Sequence, residues 1–174
     1  MPDQRPRYRL LQTAWGWLAL IGFPDILCEL ILPQTKKKVL HELAARRLLS
    51  SDNDDSLFTA LAPQLQSYFA AQPVQFTATV DLSWATAFTA KVLQYCCHIK
   101  LGQTSTYRQL AAAIRRPTAF RAVGGALGRN PTPIIIPCHR VLKQNGQLGG
   151  YSAPAGLKFK RQLLQLETQM LHVP

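Results

Sequence analysis

The second half of this chain has almost no acid. From Ala85 to Pro174 there is one carboxylate side chain, Glu167, against twelve lysines and arginines. The first 84 residues hold eight of each sign, so the whole net charge of +11 belongs to the second half. A neutral half joined to a strongly basic one points to a polyanion partner, nucleic acid above all. A merely soluble basic surface is the plainer alternative. A single carboxylate retained in so basic a segment points to a specific partner for it.

Cysteine is scarce too, four in 174 residues with Cys96 and Cys97 adjacent. That is no disulfide framework and argues for a reducing compartment. Metal-ligand spacings are missing: Cys96-Cys97-His98 is contiguous, and there is no C-x2-C or H-x3-H pair, so neither a metal nor a cofactor is expected. Long apolar runs are missing as well. Arg5, Arg7 and Arg9 precede an apolar stretch, Ala14 to Phe23, in the manner of a secretory leader. The stretch holds two tryptophans, is broken by Gly22 and Pro24-Asp25, and is far too short to cross a bilayer. It reads as strand–turn–strand in a soluble, intracellular protein without a membrane partner. At 47% hydrophobic and 17% charged residues, the composition supports a buried core and excludes disorder, collagen and coiled coil.

The first part, residues 1–84, reads as a small α/β domain. Strand patterns cover Tyr8–Thr13, Trp17–Ile21 and Ile26–Leu32. Helices follow from the Lys36-Lys37-Lys38 triplet to about Leu49 and over Phe58–Phe69, with a polar loop at Ser50–Ser56 between them. An extended connector spans Pro73–Leu82. Residues 85–174 read as mainly helical. Phe88–Ile99 is a helix closed by Gly102. Thr104-Ser105-Thr106 supplies capping hydroxyls for a helix carried by Tyr107, Leu110, Ala111 and Ile114 to about Arg116. Pro117 stops it, and Thr118 is placed to cap a further helix to about Gly128. Two short helices around a proline turn suit a helix-turn-helix.

In that second helix, Phe120, Val123, Gly124 and Leu127 fall on one face, expected to meet a core. The other face holds Arg121, Ala122, Gly125, Ala126 and Arg129. A helical glycine costs roughly 0.5–1 kcal/mol relative to alanine, so Gly124-Gly125 needs a reason. Close helix packing accounts for the first, and close approach to a nucleic-acid backbone or groove for the second.

Ile134-Ile135-Ile136 reads as a buried strand leading into Pro137-Cys138-His139-Arg140-Val141. A free thiol is only a few per cent thiolate at neutral pH, a fraction that neighbouring cations or a proton acceptor such as His139 would raise. On an extended chain Cys138 and His139 point apart, so they need a turn or a bridging water. Glu167 shares a stripe with Leu163 and Leu164 and should face inward, where a carboxylate requires a partner. His139 is one candidate; a salt bridge to Arg161 or another base is the other.

Around Pro137–Val141 the sequence resembles the O6-alkylguanine-DNA alkyltransferases. The likeness takes in Tyr107-Arg-Gln-Leu-Ala, Arg121-Ala-Val-Gly-Gly-Ala126 and Asn130-Pro131 upstream. Downstream it takes in Gly150-Tyr151-Ser152 and Lys160…Leu163-Leu164-x-x-Glu167. The resemblance implies a ribonuclease-H-like amino-terminal domain and a winged-helix-like domain with a minor-groove helix-turn-helix. It implies a monomer acting once on double-stranded DNA that contains O6-alkylguanine. By the same resemblance Cys138 accepts the alkyl group, activated through water and His139, with Glu167 orienting His139. Tyr107 hydrogen-bonds the flipped base and presses on a phosphate. Arg121 fills the vacated stack, and Ala122, Gly125 and Ala126 form the groove face. Asn130 holds the turn, while Val141, Tyr151 and Ser152 line the pocket. Arg108, Arg116, Arg140, Lys143 and Gln144 belong to the DNA- and substrate-binding set. The Ser152–Gly156 stretch, at the pocket wall, is longer than usual. Two other readings remain: a non-catalytic DNA-binding module, and a Cys–His–Glu hydrolase that turns over.

Overall fold

The computed structural model describes residues 5–48, 50–152 and 156–172, so residues 153–155 of the expected pocket-wall stretch lie outside them. The chain divides into two compact units, Met1–Asp81 and Leu82–Pro174.

The first unit is built on a four-stranded sheet in the order β1 (Arg7–Thr13), β2 (Gly16–Phe23), β3 (Ile26–Gln34), β4 (Thr79–Val80). The first three strands form an antiparallel meander. Its tight turns need positive φ at Gly16 and Asp25, residue types that tolerate it. The end of the expected connector joins the sheet as β4, parallel to β3. Helix α1 (Lys36–Ala45) lays Val39 and Leu43 against Tyr8, Ala19, Ile21 and Ile31. Helix α2 (Leu61–Phe69) buries Leu65, Tyr68 and Phe69 and packs on β1. Leu18 to Ile21 are consecutively buried, as befits a strand covered on both faces. Among the described residues no helix is long and apolar enough to cross a membrane.

In the second unit, α3 (Ala87–Cys97) begins at Thr86, whose Oγ1 accepts from Thr89 N at 3.2 Å. Helix α4 (Tyr107–Ala113) opens on a reciprocal cap: Gln109 N donates to Thr106 Oγ1 and Thr106 N to Gln109 Oε1. It stops short of the expected Arg116, because Arg115 turns to φ 59° before Pro117 is reached. Helix α5 (Phe120–Gly128) follows, with Ala119 rather than Thr118 at the cap position and no capping side chain. A short parallel ladder pairs β5 (Ser105–Thr106) with β6 (Val141–Leu142), tying the start of α4 to the segment after Cys138. Helix α6 (Gly156–Met170) closes the unit.

The isoleucine run buries Ile134 and Ile136 but is not a strand. Pro133 and Ile136 bridge across a turn in which Ile134 has φ 77°, a conformation that disfavours β-branched residues. The turn is held from outside by Asn130, which overrides strand propensity.

Candidate active site

Two helices and two tight turns meet at Cys138. Cys138–Arg140 form a single 3-10 turn, which removes the alternation that would have pointed Cys138 and His139 apart. Cys138 N donates to Ile136 O at 2.8 Å, and Asn130 Nδ2 donates both to Ile136 O at 2.8 Å and to Cys138 Sγ at 3.2 Å. The other end of the amide, Oδ1, accepts from Thr132 N at 3.1 Å. Asn130 therefore shapes the turn and also touches the sulfur, a contact that sequence pattern did not suggest.

Glu167, buried on α6, resolves the two candidate partnerships by making both. Its Oε1 lies 2.7 Å from His139 Nε2, and Arg140 donates to its two oxygens from Nε and Nη2 at 2.8–3.2 Å. Arg161 is exposed and takes no part. Hydrogen bonds from His139 and Arg140 hold the Glu167 carboxyl down at about 2 despite its burial. An ionised carboxylate at Nε2 places the imidazole proton there and leaves Nδ1 as a bare acceptor. Nδ1 is buried and has no hydrogen-bond partner among the described residues. Burial outweighs the carboxylate and keeps His139 below its ordinary pKa, hence neutral.

Arg140 is corrected from the binding set. Its Nη1 donates to Ile99 O at 2.6 Å while the rest of the guanidinium grips Glu167, so it faces inward and not toward DNA. Lys160, one turn before Leu163 and two before Glu167 on the same stripe, is fully buried. Its Nζ donates to Val141 O at 2.6 Å and lies about 6 Å from the rings of Tyr107 and Tyr151. Its position on the inward stripe was readable, but its charge concealed its burial. Lys160 and Asn130 both favour the thiolate, yet desolvation dominates and Cys138 rests above its ordinary pKa. The neighbouring cation and amide do not offset the burial of the thiol.

The sulfur opens onto a cavity of about 560 Å³ lined by Tyr107, Phe120, Arg121, Tyr151, Ser152 and a set of glycines. The face of α5 expected to meet a core buries Val123 and Leu127, and Phe120, Gly124 and Leu127 of that face, with Gly128, form one wall of the cavity. The ring of Tyr107 lies between two glycine backbones. A Cβ on Gly124 would meet it at 3.7 Å, and one on Gly149 would collide with its hydroxyl and Cζ. The Tyr151 ring stacks on Phe159, and its hydroxyl, beside Cys138, has no well-formed hydrogen bond. Val141 does not line the cavity; its side chain is buried and its carbonyl serves Lys160. Ala126 is buried too, leaving Arg121, Ala122 and Gly125 as the exposed α5 residues of the expected groove face. Arg129, assigned to the same outer face, reaches back to Thr89 Oγ1 at 3.1 Å. Arg116, Lys143 and Gln144 are exposed, and Arg108 lies over the Phe120 ring at 4.9 Å. Among the described residues no three His, Cys, Asp or Glu side chains gather to hold a metal.

A family profile described as "6-O-methylguanine DNA methyltransferase, DNA binding domain" matches residues 87–169. A methylated-DNA–protein-cysteine methyltransferase of Methanosarcina barkeri is 36% identical over 167 residues, covering 94% of this chain and 98% of the relative. The chain belongs to the methylated-DNA–protein-cysteine methyltransferase family. Among solved methyltransferases, O6-methylguanine methyltransferase of Mycobacterium tuberculosis superimposes with a TM-score of 0.79 at 34% identity, covering 98% of this chain and 96% of that one. The same mycobacterial methyltransferase in complex with DNA gives 0.78 at 34% identity, over 94% of each chain. This methyltransferase chain thus shares the family's small sheet with helices across nearly its full length.

Proposed function

We propose that this protein repairs DNA by direct reversal, moving the alkyl group of O6-alkylguanine irreversibly onto its own Cys138. The observation that carries the reading is the chain of contacts from Glu167 through His139 to the turn that presents a thiol to an apolar cavity. The second unit supplies DNA binding and the acceptor, while the first is read as a ribonuclease-H-like support. The helix-turn-helix of α4 and α5 is read as part of a winged-helix-like domain. The protein acts as an intracellular monomer on duplex DNA.

A base inside a duplex cannot bring its O6 substituent to a protein sulfur, so the nucleotide rotates out. Arg121, exposed at the cavity mouth, occupies the vacated stack. The groove is met by Ala122 and Gly125, the backbone by Arg116, Lys143 and Gln144. Behind the cavity wall, His139 Nδ1 takes the Cys138 proton through one water, and Glu167 stabilises the imidazolium. The thiolate attacks the alkyl carbon in line. The S–C bond forms, the C–O6 bond breaks, and its electron pair leaves with guanine. Tyr107 hydrogen-bonds the departing base, which ends with the proton that began on sulfur. The product thioether has no carbonyl for water to attack, so the cysteine is not regenerated.

Single use separates this reading from a hydrolase. Titrating the protein against excess O6-methylguanine duplex should restore guanine until one equivalent is repaired and then stop. Repeated turnover, or binding with no repair, would overturn it.

A further inference from the structure

Three aromatic rings line the Cys138 cavity, and two are already engaged. Tyr107 is held between the backbones of Gly124 and Gly149, and Tyr151 is stacked on Phe159 at an interplanar angle of 14°. Phe120 differs. It stands half-buried at the first position of α5, immediately before Arg121, where both residues line the cavity. Arg108, from the first turn of α4, covers one face of its ring at 4.9 Å, and the half-buried ring contributes to the cavity lining. A cation over a ring fixes its orientation without enclosing it.

We propose that Phe120, steadied by Arg108, is a stacking platform on which the extruded purine lies while its substituent faces Cys138. The inference rests on the alkyl-transfer reading and adds a substrate-positioning residue to it. Two features favour a platform over a filler. The α5 wall beyond Phe120 carries glycines at 124 and 128, so the ring is its one broad flat surface. Arg108 is exposed, yet its guanidinium lies over the ring at 4.9 Å, a contact that fixes the ring's orientation. Stacking a base on an aromatic side chain is sequence-tolerant, and its loss is measurable on substitution.

The test compares free O6-allylguanine, which has no phosphate and no second aromatic ring, with O6-methylguanine in duplex DNA. Thioether formation is followed by intact mass. Phe120→Leu keeps apolar bulk and removes the π face, and should slow transfer on the order of tenfold with both substrates. Phe120→Trp should restore it to within about twofold, since a larger ring still stacks. Arg108→Gln should also slow the free base, by about threefold, because ring orientation matters without DNA. Reaction of Cys138 with iodoacetamide, which needs no stacking, should change by less than about twofold in Phe120→Leu. An unchanged rate with the free base would overturn the platform, even if the duplex rate fell, because the ring would then act only in the DNA stack. An equal fall with iodoacetamide would overturn it too, as general damage to the cavity. Wild-type protein that accepts no alkyl group from either substrate would instead overturn the function on which the inference rests.

Discussion

Glu167→Gln should slow alkyl transfer by about a hundredfold, the lower part of the range for losing acid–base assistance, while DNA affinity stays nearly unchanged. The same substitution should destabilise the fold by about 3 kcal/mol, since it leaves Arg140 buried without its counter-charge. Stability against pH supplies a second reading of the same contact. The folded carboxyl titrates at about 2 and its ordinary value is 4.5. The unfolded chain therefore binds the proton first as pH falls. The contribution is complete above the ordinary value and disappears as pH drops through the folded one. Urea midpoints taken from about pH 6 to about pH 2 should fall steeply in the wild type and more gently in Glu167→Gln. A destabilised variant that transfers at the wild-type rate would reduce Glu167 to a structural counter-ion.

Asn130→Asp should be nearly as severe. The substitution conserves shape but turns the donor shared by Ile136 O and Cys138 Sγ into a negatively charged acceptor. The Ile136 carbonyl keeps Cys138 N but loses its second donor and faces a carboxylate oxygen instead, at a cost of about 1–3 kcal/mol, and the turn that tolerates Ile134 at φ 77° loses its clamp. A carboxylate beside the sulfur also disfavours the thiolate. Transfer should fall by about a hundredfold, the scale expected for a misplaced nucleophile. The pH profile of Cys138 alkylation by iodoacetamide should move upward. A profile and a transfer rate that both stay in place would remove Asn130 from the account.

Much of this site was legible because it follows helical spacing. Glu167 shares a stripe with Leu163, and the capping hydroxyl of Thr106 stands three residues before Gln109. Turns were harder to read. Ile134-Ile135-Ile136 has the composition of a strand, yet a side chain four residues upstream folds it into a turn. That information is tertiary, and so is the difference between Arg140 and Arg116, two arginines on opposite sides of the surface. Lys160 shows the same limit: its place on the inward stripe is plain, but a lysine there reads as exposed until Val141 O is seen to receive it. The inward stripe of α5 was legible in part: Val123 and Leu127 are buried as expected, while Phe120 and Gly124 line the cavity, since an apolar stripe with glycines looks the same whether it meets a core or an open space.

Where the alkyl group goes decides the function of Cys138. Wild-type protein incubated with duplex DNA containing O6-methylguanine, digested and weighed, should gain one methyl on the peptide that carries Cys138 and on no other, while Cys138→Ser gains none. A methyl found elsewhere, or repaired DNA with an unmodified protein, would contradict it.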